Sequence, residues 1–142
     1  MEHKTLAEIE RAGEATPAVP LTRAERLDRW ATALERLGPI RLNTLWRTEY
    51  VAPDALGRVR ADNSPISVAF DDPMLRIAGL KDDTYEEAKR FFELSDHELH
   101  RIVCYCHFGP SLSGREAARL VRGLARRQSR ERSWFMSLFA HH

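Results

Sequence analysis

Cysteine is scarce, with two in a chain of 142 residues, Cys104 and Cys106. Positions two apart on a helix diverge by about 200°, so the pair is not expected to bridge there. Reduced thiols in a reducing compartment follow, rather than a disulfide scaffold. Net charge is nearly absent too: 22 basic residues against 21 acidic leave +1. That excludes a global field able to recruit nucleic acid or membrane, and any anion site must be local. No apolar run approaches the ~20 residues of a membrane span. The opening Met1-Glu2-His3-Lys4-Thr5 lacks the apolar core of a secretory signal. The expectation is a cytoplasmic chain with no membrane partner. Also missing are a glycine-rich phosphate loop, H-E-x-x-H, G-x-S-x-G and C-x-x-C-H, so neither nucleotide nor covalent haem is expected.

Helix starts, by contrast, are abundant. Thr22/Glu25, Thr84/Glu87, Ser95/Glu98 and Ser113/Glu116 each place Glu three residues after Ser or Thr and ahead of an apolar period. In this capping box the hydroxyl accepts from a first-turn amide while the Glu reaches back to the cap amide. The strongest helix is expected from Arg23 to Leu37, with Leu27, Trp30, Ala31 and Leu34 on one face and Gly38-Pro39 ending it. Ser64-Pro65 and Asp72-Pro73 announce two short helices, around Ile66–Phe70 and Met74–Ala78. Three more follow Thr84, Ser95 and Ser113, the first packed by Tyr85, Ala88, Phe91 and Phe92. Gly109-Pro110-Ser111-Leu112 is short enough to force a helical hairpin or corner. Between Ile40 and Val51 the spacing of Leu42, Leu45, Trp46 and Tyr50 favours a helix, although Ile40-Arg41-Leu42 can also begin a strand. A short helix carrying Leu56 and Val59 is expected after Pro53.

These signals predict an all-α, compact single-domain bundle of about six to eight helices, several short. Residues 1–21 form an arm or weakly attached helix with a linker, and 22–142 form the domain, including a docked apolar tail.

Three constellations bear on function. His97, His100, Cys104 and His107 form one stripe of metal-competent side chains at helical spacings of three and four. Neighbours on one straight helix cannot wrap a tetrahedral ion, so further ligands must come from elsewhere, and zinc is the expected occupant of such N/S donors. Packing against other helices is the commoner fate of such a stripe. The second is a basic stripe, Arg115, Arg119, Arg122 and Arg126, continued by Arg127, Arg130 and Arg132. It offers phosphate contacts in a helix-turn-helix-like arrangement. The competing reading is internal pairing with the acidic stretch 71–98, which holds nine carboxylates against four basic residues. The third is the tail, where Trp134, Phe135, Leu138 and Phe139 are too apolar to stay solvated; they predict docking on the core or on a second copy.

The leading functional expectation is a non-enzymatic protein-interaction or regulatory module that self-associates through its tail. The alternatives are a nucleic-acid binder using the arginine stripe and a zinc or redox sensor using the His/Cys stripe.

Overall fold

The structure is a computed structural model that describes residues 20–45, 52, 55 and 57–126. Its order is α1 (Arg23–Leu37), β1 (Arg41–Asn43), α2 (Pro65–Asp71), α3 (Pro73–Ala78), α4 (Tyr85–Phe91), α5 (Asp96–Val103), α6 (Tyr105–Phe108), β2 (Ser111–Ser113) and α7 (114–126). The fold is all-α, with seven helices and one two-stranded sheet among the described residues. None of these helices is long and apolar enough to cross a membrane.

The caps largely do what their residue types dictate. Thr22 with Glu25 and Ser95 with Glu98 form complete capping boxes. Thr84 accepts from the Glu87 amide, but Glu87 turns away to the Lys81 amide and Arg90. Asp82 then takes the Thr84 amide. Ser113 Oγ accepts from the Glu116 amide at 3.0 Å, while the Glu116 carboxylate lies 3.7 Å from Arg41. Ser64 completes a box with Ser67 instead of an acid, and Pro65 and Pro73 occupy first turns.

The core forms where the apolar faces of α1, α2, α4, α5 and α7 meet. Leu27, Trp30, Ala31 and Leu34 are fully buried, as are Ala88, Phe92, Leu99, Val103 and Val121. Trp30 stacks on Phe92 at 4.3 Å between ring centroids, and its indole N–H donates to the Pro65 carbonyl at 2.8 Å. That bond lets a large polar-tipped ring be buried without loss.

The stretch after Pro39 departs from the helical expectation. Arg41, Leu42 and Asn43 pair antiparallel with Ser113, Leu112 and Ser111, with Leu42 and Leu112 buried. The period is therefore two, and tertiary pairing overrides a local spacing that also suited a helix. The Gly109–Leu112 connection likewise carries β2, so residues 104–113 separate α5 from α7, far more than a helix-turn-helix turn of three or four residues. Val59 lies beyond a turn at residues 57–58, outside any helix. Trp46, Tyr50, Leu56 and the 1–19 arm lie outside the described residues.

Gly114 opens α7 where it meets the end of α1. Its amide donates to the Ile40 carbonyl at 3.0 Å, and the Arg115 amide donates to the Gly38 carbonyl at 3.0 Å. The loop after α1 thus satisfies amides that a helix start leaves orphaned. A Cβ at position 114 would lie 2.4 Å from the Leu34 carbonyl oxygen.

Candidate metal centre

Helix α5 starts at the Ser95 box, buries Leu99, Ile102 and Val103, and carries His100 on its half-buried side. It stops at Cys104, whose backbone turns extended at φ −83°, ψ 137° although its amide still donates to the His100 carbonyl. The cause lies in the segment after β1. The Leu45 amide donates to the Val103 carbonyl at 2.7 Å, and the Tyr105 amide donates to the Leu45 carbonyl at 3.1 Å. These bonds make an isolated parallel bridge between Leu45 and Cys104. Thr44 secures the far end of the segment, its hydroxyl donating to the Gly109 carbonyl at 2.6 Å.

The break overturns the expectation of one continuous His/Cys stripe. Cys104 caps the short helix α6, its sulfur accepting from the Cys106 amide at 3.4 Å. Cys106 is folded back over it, so the two Sγ atoms, expected on opposite sides of a helix, stand 3.0 Å apart. The Cys106 sulfur lies 3.6 Å from His100 Nε2 and 3.9 Å from Nδ1. His107 Nε2 approaches His100 Nδ1 at 3.3 Å, with the two rings edge to face. One donor atom each from His100, Cys104 and Cys106 lie within 4.8 Å of one another.

Of the four residues in the expected stripe, His100 and Cys104 therefore belong to the cluster, and His107 adjoins it through His100. His97 does not join; it lines a separate shallow groove with Arg101 and Leu120. Cys106, expected on the other side of the helix from Cys104, is exposed and completes the group. Only a C-x-C spacing hinted at it, and that reads as a pair only when the first Cys leaves the helix.

The donor set fits a tetrahedral N/S ion. Zinc bonds of about 2.3 Å to sulfur and 2.0–2.1 Å to nitrogen imply ligand separations of about 3.3 Å for N···N, 3.5 Å for N···S and 3.8 Å for S···S. Taken from the one nitrogen that would ligate, His100 Nδ1 stands 3.3 Å from His107 Nε2 and 3.9 Å from the Cys106 sulfur, close to those separations, and the S···S distance of 3.0 Å needs a small opening of one rotamer. Cys104 is buried, His100 half-buried, and Cys106 and His107 exposed, so a buried anchor opens to solvent. Behind it, burial pushes the Tyr85 phenol well above the usual tyrosine range, and its hydroxyl donates to Asp96 Oδ1 at 2.9 Å.

The arginine stripe lies on α7. Arg115, Arg119 and Arg126 are exposed beside a groove of about 250 Å³ that Glu35 also lines. Arg122 is half-buried and pairs with Asp28 at 3.2 Å and Glu35 at 2.5 Å, both on α1. Those hydrogen bonds, Glu35 first, hold its pKa above the ordinary arginine value. Among the described residues the competing pairing, with the 71–98 stretch, does not form. That stretch is served by Arg29 on Asp72, Arg60 on Asp83, Arg90 on Glu87 and Arg23 near Glu98. The charges of α7 meet α1 because Gly114 seats the two helices together. Arg127, Arg130 and Arg132 lie outside the described residues, as do Trp134, Phe135, Leu138 and Phe139.

Searches of family models, curated proteins and solved structures find no match to this chain.

Proposed function

We propose that this chain is a zinc-binding regulatory protein whose ion is held by His100, Cys104 and Cys106, with His107 or water in the fourth position. The observation that carries this reading is the convergence of two thiols and an imidazole within 4.8 Å at a helix break. Soft thiolate with imidazole selects zinc over magnesium or calcium, and an open fourth position leaves room for a ligand to modulate the site. Binding would tie α5, α6 and the Leu45 bridge into one rigid corner, coupling metal occupancy to the β1–β2 junction. The self-association expected from the tail concerns residues outside the described ones and carries no weight in this choice.

The test is metal analysis with native mass spectrometry on untagged full-length protein purified without chelator. One zinc per chain, lost in His100→Ala and in Cys106→Ser, is the expected result. A metal-free chain that also fails to take up added zinc refutes the reading.

A second reading rests on Arg115, Arg119 and Arg126, which are exposed, share a helix and have no ion pair among the described residues. They suit contacts to a polyanion backbone. Binding of single- or double-stranded DNA should then weaken steeply with salt, and Arg119→Ala should lower the log–log slope by about 1.

A further inference from the structure

We propose that Cys106 and Cys104 are a peroxide-reactive pair that closes to an intramolecular disulfide, making the centre a redox switch. This goes beyond zinc binding and does not require it, although the same two sulfurs serve both states.

The asymmetry of the pair sets the order of events. Cys106 is exposed, so a hydroperoxide can reach its sulfur. Cys104 is buried, so no bulky oxidant or second chain can reach it, yet its sulfur stands 3.0 Å from that of Cys106. They are the two cysteines of these 142 residues, so within them each can form a disulfide only with the other. The Leu45 bridge holds Cys104 extended, and the Cys106 amide bond to the Cys104 sulfur holds the turn. The pair is preorganised by backbone, and closing to about 2.05 Å needs a shift of about 1 Å.

In the first step the Cys106 sulfur attacks the terminal oxygen of the hydroperoxide. The O–O bond breaks, the alcohol or water leaves with a proton, and Cys106 is oxidised to the sulfenic acid. In the second, the Cys104 sulfur attacks the Cys106 sulfur, the S–S bond forms, the S–O bond breaks, and hydroxide leaves as water with the Cys104 proton. Two thiols and one hydroperoxide give one disulfide, one alcohol and one water. Both sulfurs are then lost as ligands, so oxidation would discharge any bound zinc.

The experiment treats the full chain, both as purified and after chelator removal of metal, with a small excess of hydrogen peroxide. Intact mass, free-thiol count and released zinc are read together. The expected product is a monomer about 2 Da lighter with both thiols lost, and Cys106→Ser, an exposed change that spares the fold, should leave Cys104 unreactive. Persistent adducts of about 16 or 32 Da, disulfide-linked dimers, or two unreacted thiols overturn the proposal. A chain that never holds zinc yet forms the disulfide sinks the metal reading alone, and one that holds zinc but fails to close sinks this one alone.

Discussion

Replacing Gly114 by Ala sets two physical effects of opposite sign against each other. Helix propensity favours Ala over Gly by about 1 kcal/mol in a helix. The Cβ, however, would sit 2.4 Å from the Leu34 carbonyl oxygen and 2.8 Å from the Leu37 Cβ. The oxygen is backbone in the last turns of α1 and cannot rotate away, so α7 must retreat by roughly 1 Å. Retreat stretches the Gly114-to-Ile40 and Arg115-to-Gly38 hydrogen bonds. Each is worth about 1 kcal/mol, and overpacking itself costs about 1–3 kcal/mol. A net loss of about 2–4 kcal/mol is expected, or roughly 7–14 °C in Tm for a chain of this size. Gly123→Ala is the control: it lies on the same helix with nothing within 4 Å of the added atom, and should stabilise by about 0.5–1 kcal/mol. Urea and thermal unfolding followed by circular dichroism measure both. A Gly114→Ala chain as stable as the parent would refute the close approach of α1 and α7, and with it the seating of the arginine face.

Other perturbations test separate parts of the molecule. Trp30→Ala removes the ring stacked on Phe92 and the indole bond to the Pro65 carbonyl, so it should cost about 3–5 kcal/mol in the same assay. Burial pushes the Glu87 carboxyl up, but hydrogen bonds from Arg90 and the Lys81 amide outweigh it, leaving its pKa below 4.5; Arg60 holds Asp83 below 3.8. Both carboxyls thus contribute stability at neutral pH that fades as pH falls below those ordinary values. Glu87→Gln should cost about 1–3 kcal/mol near pH 7 and flatten the acid limb of a stability–pH curve. Arg119→Ala should leave Tm within about 1 °C, and Arg122→Ala, losing Asp28 and Glu35, should cost about 0.5–1 kcal/mol that shrinks in high salt.

The helices were legible because their signals are local. Thr22, Ser95 and Ser113 cap where a hydroxyl three residues before an amide must cap, and Pro65 and Pro73 sit where a missing N–H costs nothing. The buried face of α1 follows from a period that no competing partner disturbs. Spacing offers Arg122 either phosphate or the 71–98 carboxylates, whereas its partners Glu35 and Asp28 on α1 are 87 and 94 residues away in sequence, beyond any local rule.

Local signals along the chain specify an all-α fold, its helix starts, and a supply of soft ligands between His97 and His107. The tertiary structure decided which ligands meet. Whether Arg41–Asn43 is strand or helix depends on Ser111–Ser113, some 70 residues on, and no local energy separates the two. The backbone of Cys104 is extended because Leu45 takes the Val103 carbonyl and the Tyr105 amide on either side of it, and that one dihedral change swings Cys106 from the far side of a helix to 3.0 Å from Cys104 while leaving His97 behind. A site built on a helix break depends on long-range hydrogen bonds, which spacing along the chain does not encode.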